Sequence, residues 1–266
     1  MSITMSIEAD KAMQTHARGE LYGLLAAGLS YPREGGPLDD WDQPGYQRRL
    51  RAAAKEAGLA LEQTSAFDRL FQGLPCVFLK RADVEAEYTR LFGPGRKPPV
   101  PPYETLYTAS YAPTARHSQE LADIQGFYHA FGLAVAENSA DRPDHIALEL
   151  EFLGVLCKKE AHAIVEEMDE AAGIALDARR AFLADHVGCW AIGFADRLEE
   201  HATLPLYQQL AVILRELIRA EMESLEITPA KMAHDPAPAQ SDDQDDRLTC
   251  GGCPMNGANE EEAPIR

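Results

Sequence analysis

Apolar residues recur along most of this chain at three- and four-residue intervals, the spacing of one helix face. The first such run spans about Glu8 to Leu29, with Leu21, Leu24, Leu25 and Leu29 on one side and Tyr31-Pro32 as its stop. Arg33 to Trp41 reads as a loop. Helical spacing returns from Tyr46 to Ala57 and from Leu61 to Phe71, and a further helix ends at Phe92 with Asp83 as its N-cap. Ser118 to Phe131 carries Leu121, Ile124, Phe127, Tyr128 and Phe131 at helical spacing, and Gly132 follows as a C-terminal stop. Between Asn138 and Ile146, polar capping residues and Pro143 mark a helix start. That helix, striped by Ile146, Leu150, Leu153 and Cys157, is expected to reach about Glu170. Another runs from about Leu176 to His201, with Phe182, His186, Cys189, Trp190 and Phe194 on one face. Pro205 opens the last, which carries Leu210, Ile213, Leu214, Leu217 and Ile218.

These elements predict an all-α fold, a single helical bundle over residues 1–230. Valine and isoleucine are scarce beside alanine, which argues against a sheet. From Pro229 the composition turns to Pro, Ala, Gln and Asp, so residues 231–266 are expected to form a disordered acidic tail. The net charge of −18 disfavours nucleic acid as a partner and is compatible with a basic one. The N-terminus lacks a cationic stretch followed by an apolar core, and no apolar run is long enough to span a bilayer. A cytoplasmic protein with no stable membrane insertion is expected.

Chemistry concentrates around the proline-dense stretch between Phe92 and Tyr107. Pro98, Pro99, Pro101 and Pro102 fix φ, remove backbone donors and hold the preceding residues extended. Tyr103 and Tyr107, which look exposed, follow directly. A stiff loop of this kind suits the rim of a peptide-binding groove, because little entropy is lost on docking. It equally suits a rigid connector between helices. The loop lacks the G-x-x-x-x-G-K-[ST] spacing of a phosphate cradle, so GTP is not expected as a ligand.

Asp144 sits at a helix start, and His145 and Glu149 lie one turn apart on one face. Asp144 either caps the first turn or projects into a groove to pair with a cation, with His145 adding a hydrogen bond. His186 and Trp190 have the spacing of core residues. No E-x-x-H and no G-x-S-x-G occurs, which leaves neither a carboxylate-bridged di-iron bundle nor a hydrolase triad a foothold. Cys76, Cys157 and Cys189 sit among apolar neighbours like buried thiols. Cys250 and Cys253 form a C-x-x-C pair, the right bite for zinc or a redox couple, yet one pair provides only two ligands. An accessory metal- or cluster-binding arm, a dithiol, a site completed by a partner and an incidental appendage all remain open.

Three segments together carry a family likeness. Glu87 to Gly95 with Pro101 to Tyr107, then Asp141 to Leu153, then Phe182 to Leu198, resemble in order and spacing the TorD/DmsD-like redox-enzyme maturation chaperones. The resemblance covers roughly Glu20 to Glu223. It implies a non-enzymatic, all-helical cytoplasmic chaperone, monomeric or homodimeric, with no required cofactor. It also implies two partners: the twin-arginine signal peptide and the catalytic subunit of a molybdopterin oxidoreductase, held from export until its cofactor is loaded. Carried over by position, the peptide surface falls on Leu91, Phe92, Pro102, Tyr103, Glu104, Tyr107, Asp144 and His145, with Glu149 nearby. Asp144 would take a guanidinium, and the aromatic and apolar side chains would take the greasy segment behind it. Alternatives of another class are a guanine-nucleotide switch and a metal- or cofactor-delivery factor using Cys250 and Cys253, which lie outside the common family core.

Overall fold

The computed structural model describes residues 2–41, 43–57, 68–70, 80–93, 98–108, 115–136, 141–229, 232–233 and 235–236. Cys76, most of the expected Leu61–Phe71 helix, and Cys250 and Cys253 lie outside them. Among the described residues the regular elements are all helices. The α-helices are α1 (Ser2–Leu29), α2 (Pro44–Glu56), α3 (Arg81–Phe92), the single turn α4 (Thr105–Thr108), α5 (Ala115–Ala130), α6 (Ile146–Val165), α7 (Asp169–Phe182), α8 (Gly188–His201) and α9 (Pro205–Ser224). The all-α expectation holds.

The bundle centres on α6, whose buried face includes Ile146, Leu150, Leu153, Leu156 and Cys157. α1 lies along α6, and two glycines set how closely. A Cβ on Gly19 would meet Cys157 Cβ and Gly154 O, both at 3.2 Å, and one on Gly154 would meet Gly19 O at 3.3 Å. α7 packs on the same helix, and α8 and α9 pair with each other. Tyr22, Phe182, Trp190, Phe194 and Tyr207 fill the centre with no exposed surface.

Several helix ends depart from the sequence reading, each for a visible reason. Asp83 lies inside the first turn of α3, and the cap is Lys80. α6 stops at Val165 rather than near Glu170. Glu167 takes a left-handed backbone (φ 56°), with Met168 N–H donating to Ala163 O at 2.8 Å and Glu167 N–H to Ile164 O at 3.2 Å. This is the hydrogen-bond pattern of a glycine-ended helix, built on a glutamate that gives no warning of it. Glu226 ends α9 in the same way (φ 54°). Gly132 does act as the expected stop: at φ 75° it lets Leu133 N–H reach Tyr128 O at 2.9 Å.

The expected Leu176–His201 helix is two helices joined by a π turn, Leu183–Val187. A π turn inserts one residue into the helical ladder, and it lies beside Gly188. A Cβ on Gly188 would sit 2.4 Å from Leu183 O, so the turn and the glycine belong together.

Contact with the bundle continues past the composition change at Pro229. Ala233 N–H donates to Cys189 O at 2.8 Å, and Asp235 pairs with Arg197 at 3.0 Å. Ala233 and Asp235 therefore lie against α8.

One ionic cluster ties four helices together inside the bundle. Arg179 on α7, 3% exposed, donates to Glu221 of α9 at 2.7 Å and pairs with Glu160 of α6 at 2.9 Å. Arg18 of α1 also donates to Glu221, as does the Tyr22 hydroxyl at 3.3 Å. Buried charges persist only when paired in this way.

Candidate functional site

The described part of the proline stretch, residues 98–102, is a strap that passes from half-buried to buried rather than an exposed rim. Val100 is fully buried, and Pro101 and Pro102 are buried beside it. The strap is fastened at three points. Val100 N–H donates to Leu91 O at 3.2 Å. Pro99 O accepts two bonds from the Arg197 guanidinium on α8, at 2.7 and 3.2 Å. At its far end, Tyr103 pairs with His145 in an isolated antiparallel bridge. There Glu104 N–H donates to Asp144 O at 3.0 Å and Ile146 N–H to Pro102 O at 2.9 Å. Prolines cannot donate such bonds, so the bridge forms where the proline run ends.

The bridge brings strap and helix entrance to one corner. His145, rather than Asp144, is the N-cap of α6: its Nδ1 accepts from Ala147 N–H at 3.2 Å. That bond requires an unprotonated Nδ1. Burial, which disfavours the charged imidazolium, lowers the His145 pKa despite the opposing pull of Asp141 and Asp144.

Asp144, fully buried, takes neither of the roles expected of it alone. Its Oδ2 accepts from Thr105 Oγ1 at 2.7 Å and from Thr105 N–H at 3.2 Å. A guanidinium does approach it in fork geometry, and it comes from the same chain. Arg142 donates Nε to Oδ1 at 3.0 Å and Nη2 to Oδ2 at 2.7 Å. Its carbon also lies 4.7 Å from the centre of the Tyr103 ring, and that ring packs edge-on against His145 at 5.4 Å. Arg142 and Thr105 were not singled out in the sequence. Their signal was adjacency alone, two residues before Asp144 and one after Glu104.

Behind this corner runs a buried polar relay. Trp190 Nε1 donates to Glu149 Oε2 at 3.0 Å. Burial first, and the neighbouring Glu104 second, push the Glu149 carboxyl well above the usual range. Glu104 Oε2 and Glu149 Oε1 are both buried without another partner. Two ionised carboxylates could not satisfy each other, whereas a proton kept on Glu149 lets it donate to Glu104. Glu104 Oε1 meets His186 Nδ1 at 3.1 Å. Burial opposes a charge on that imidazole, but Glu104, Asp123 and Asp185 outweigh it and the His186 pKa is raised. His186 Nε2 in turn lies 3.4 Å from the exposed carboxylate of Asp123. His186 and Trp190 are thus core residues that join strap, α6 and α8 through polar atoms.

The residues carried over by resemblance are brought together, but mostly inside the protein. Leu91, Phe92, Glu104, Tyr107, Asp144, His145 and Glu149 are buried, and Tyr103 alone of the set is partly exposed. Tyr107 is not an exposed aromatic: it packs on Trp190 at 5.1 Å because α4 turns it inward. Phe92 belongs to an aromatic run through Tyr88 and Phe194. Among the described residues no group of His, Cys, Asp and Glu is placed to hold a metal ion, and no helix is long and apolar enough to cross a membrane.

The chain is 33% identical over 159 residues to the chlorate reductase assembly chaperone protein of Ideonella dechloratans, covering 60% of this chain and 79% of that one. It is 35% identical over 162 residues to the selenate reductase assembly chaperone protein of Thauera selenatis, covering 60% and 80%. It is 24% identical over 148 residues to the chaperone protein TorD of Vibrio cholerae, covering 54% and 63%. A family model described as the nitrate reductase delta subunit matches residues 42–196, the span holding strap, bridge and relay, and the chain belongs to that family.

Proposed function

We propose that this protein is a cytoplasmic assembly chaperone for the catalytic subunit of a molybdopterin oxidoreductase. It recognises the twin-arginine leader of that subunit and holds it while the cofactor is inserted, without chemistry of its own. Relatives that cover most of their own length are named as reductase assembly chaperones, which supports the general role. The observation that carries the leader-binding part is the Asp144–Thr105–Tyr103 corner, which already surrounds a guanidinium with a carboxylate fork, a hydroxyl and an aromatic face. An arginine of the leader pair matches that corner, where Tyr103 is the partly exposed aromatic face. The acidic balance of the chain favours the same cationic ligand.

Calorimetric titration of a synthetic leader into the full chain tests the reading. Binding at low-micromolar Kd or tighter is expected, about −8 kcal/mol. Asp144→Asn keeps the side-chain shape and removes the charge. It should weaken binding by about 1–3 kcal/mol, the range for a hydrogen bond to a charged group. A folded Asn variant with undiminished affinity rules out the corner as the arginine site.

A further inference from the structure

Arg142 meets in full the requirements of a ligand arginine. Its Nε and Nη2 fork onto Asp144 at 3.0 and 2.7 Å, Nη2 also reaches Thr105 Oγ1 at 2.6 Å, and its carbon lies 4.7 Å from the Tyr103 ring centre. A carboxylate fork, a hydroxyl acceptor and an aromatic face are what planar guanidinium recognition uses. The Asp144 side chain is 0% exposed and that of Arg142 is 42% exposed. The arginine is therefore the part of the pair that faces water and lies across the carboxylate.

The anchors that shape the corner do not pass through Arg142's side chain. Glu104 N–H on Asp144 O, Ile146 N–H on Pro102 O and Thr105 N–H on Asp144 Oδ2 join the strap directly to the α6 entrance. Tyr128 O–H holds Pro143 O at 2.9 Å on the other side. None of these bonds uses the Arg142 side chain, so a swing of that side chain would leave the anchors in place and uncover a ready-made guanidinium site.

We propose that Arg142 is an internal occupant of this site, exchanged for an arginine of the incoming peptide, so that it sets the affinity and the arginine selectivity of binding. This rests on the leader-binding reading above. An occupant two residues from its acceptor competes at high effective concentration. The apparent Kd of an outside arginine is then the intrinsic Kd divided by the fraction of molecules in which the site is vacant. For a vacancy of roughly 1–10%, removing the competitor strengthens binding about 10- to 100-fold.

The experiment compares the wild-type full chain with Arg142→Gln and Arg142→Ala, titrating an Arg-Arg leader peptide and its Lys-Lys counterpart. In parallel, N-acetyl-arginine amide is followed by chemical-shift changes at Thr105 and Tyr103. The expected result is a gain of tenfold or more for the Arg-Arg peptide in both variants, with a smaller gain for Lys-Lys. Saturable binding of the arginine amide is expected in the variants and not in wild type. Unchanged or weaker Arg-Arg binding in folded variants overturns the proposal and makes Arg142 a structural or direct peptide contact. Loss of folding in both variants also overturns it, because the corner must stand without this side chain. If the wild type and both variants ignore the peptide while the variants still take up the arginine amide, the leader-binding reading fails and the internal occupant stands.

Discussion

Replacing Glu149 by Gln should make the protein more resistant to unfolding as pH rises, the reverse of what losing a hydrogen-bonded buried acid usually does. The carboxyl is fully buried, and burial together with Glu104 raises its pKa well above the ordinary value. Above the unfolded pKa, about 4.3, the unfolded chain releases this proton and the folded chain keeps it. The folded state binds more protons there, so stability falls with pH by about 1.4 kcal/mol per unit until the folded pKa is passed. Gln has no proton to release. Its Oε1 still accepts from the Trp190 indole, now 3.0 Å from the acid, and its amide N–H donates to Glu104. The gap in unfolding free energy between variant and wild type should then widen by up to about 1.4 kcal/mol for each pH unit above 5. His186, whose pKa is also raised, contributes stability that is lost as pH rises through its folded pKa. That contribution is present in both proteins and cancels in the difference. Urea denaturation at pH 5, 6 and 7 reads the gap directly. A gap that stays constant across this range would falsify the assignment of a retained proton to Glu149. Glu149→Ala serves as the contrast: it leaves the buried indole N–H without an acceptor and opens a cavity, costing about 2–4 kcal/mol.

Arg179→Met should destabilise the bundle by about 3–5 kcal/mol, because Glu160 loses its buried counter-charge and Glu221 keeps only Arg18. Adding Glu160→Gln and Glu221→Gln should recover much of that loss in the same denaturation assay, and a triple variant no better than the single one contradicts the pairing. Gly188→Ala should cost about 1–3 kcal/mol by forcing Cβ against Leu183 O. A shift in thermal midpoint reads this effect, and a neutral Ala variant would mean that the π turn does not depend on the glycine.

Where the apolar stripe alone decides a helix, the sequence reading and the structure coincide. Ile146, Leu150, Leu153 and Cys157 all face the centre of the bundle, as do Leu210, Ile213, Leu214, Leu217 and Ile218. Helix ends were less legible because two of them use left-handed glutamates, Glu167 and Glu226, where the sequence signal is normally glycine or asparagine. The π turn at Leu183–Val187 adds one residue within an unbroken helical stretch, too small a change for periodicity to register. The ionic cluster was not anticipated, because nothing in the sequence singled out Glu160, Arg179 or Glu221. Their positions three or four residues from buried Cys157, Phe182 and Leu217 were the available clue. At the candidate site, position was legible and exposure was not. The family resemblance placed Tyr103, Asp144 and His145 in one neighbourhood, whereas the structure shows that the strap turns most of the carried-over side chains inward and that Arg142 already fills the acid's fork.

The bridge between Tyr103 and His145 also limits how any ligand can be read. Its two hydrogen bonds use Glu104 N–H and Ile146 N–H, and the neighbouring prolines have no N–H to offer. Strap and helix entrance therefore present almost no free donor edge along which a visiting chain could lie as an added strand. On the proposed leader-binding reading, a peptide docking here would be recognised through its side chains and not through its backbone. The same reading would let leaders of different length or local conformation be accepted alike, provided that an arginine and an apolar stretch arrive in reach.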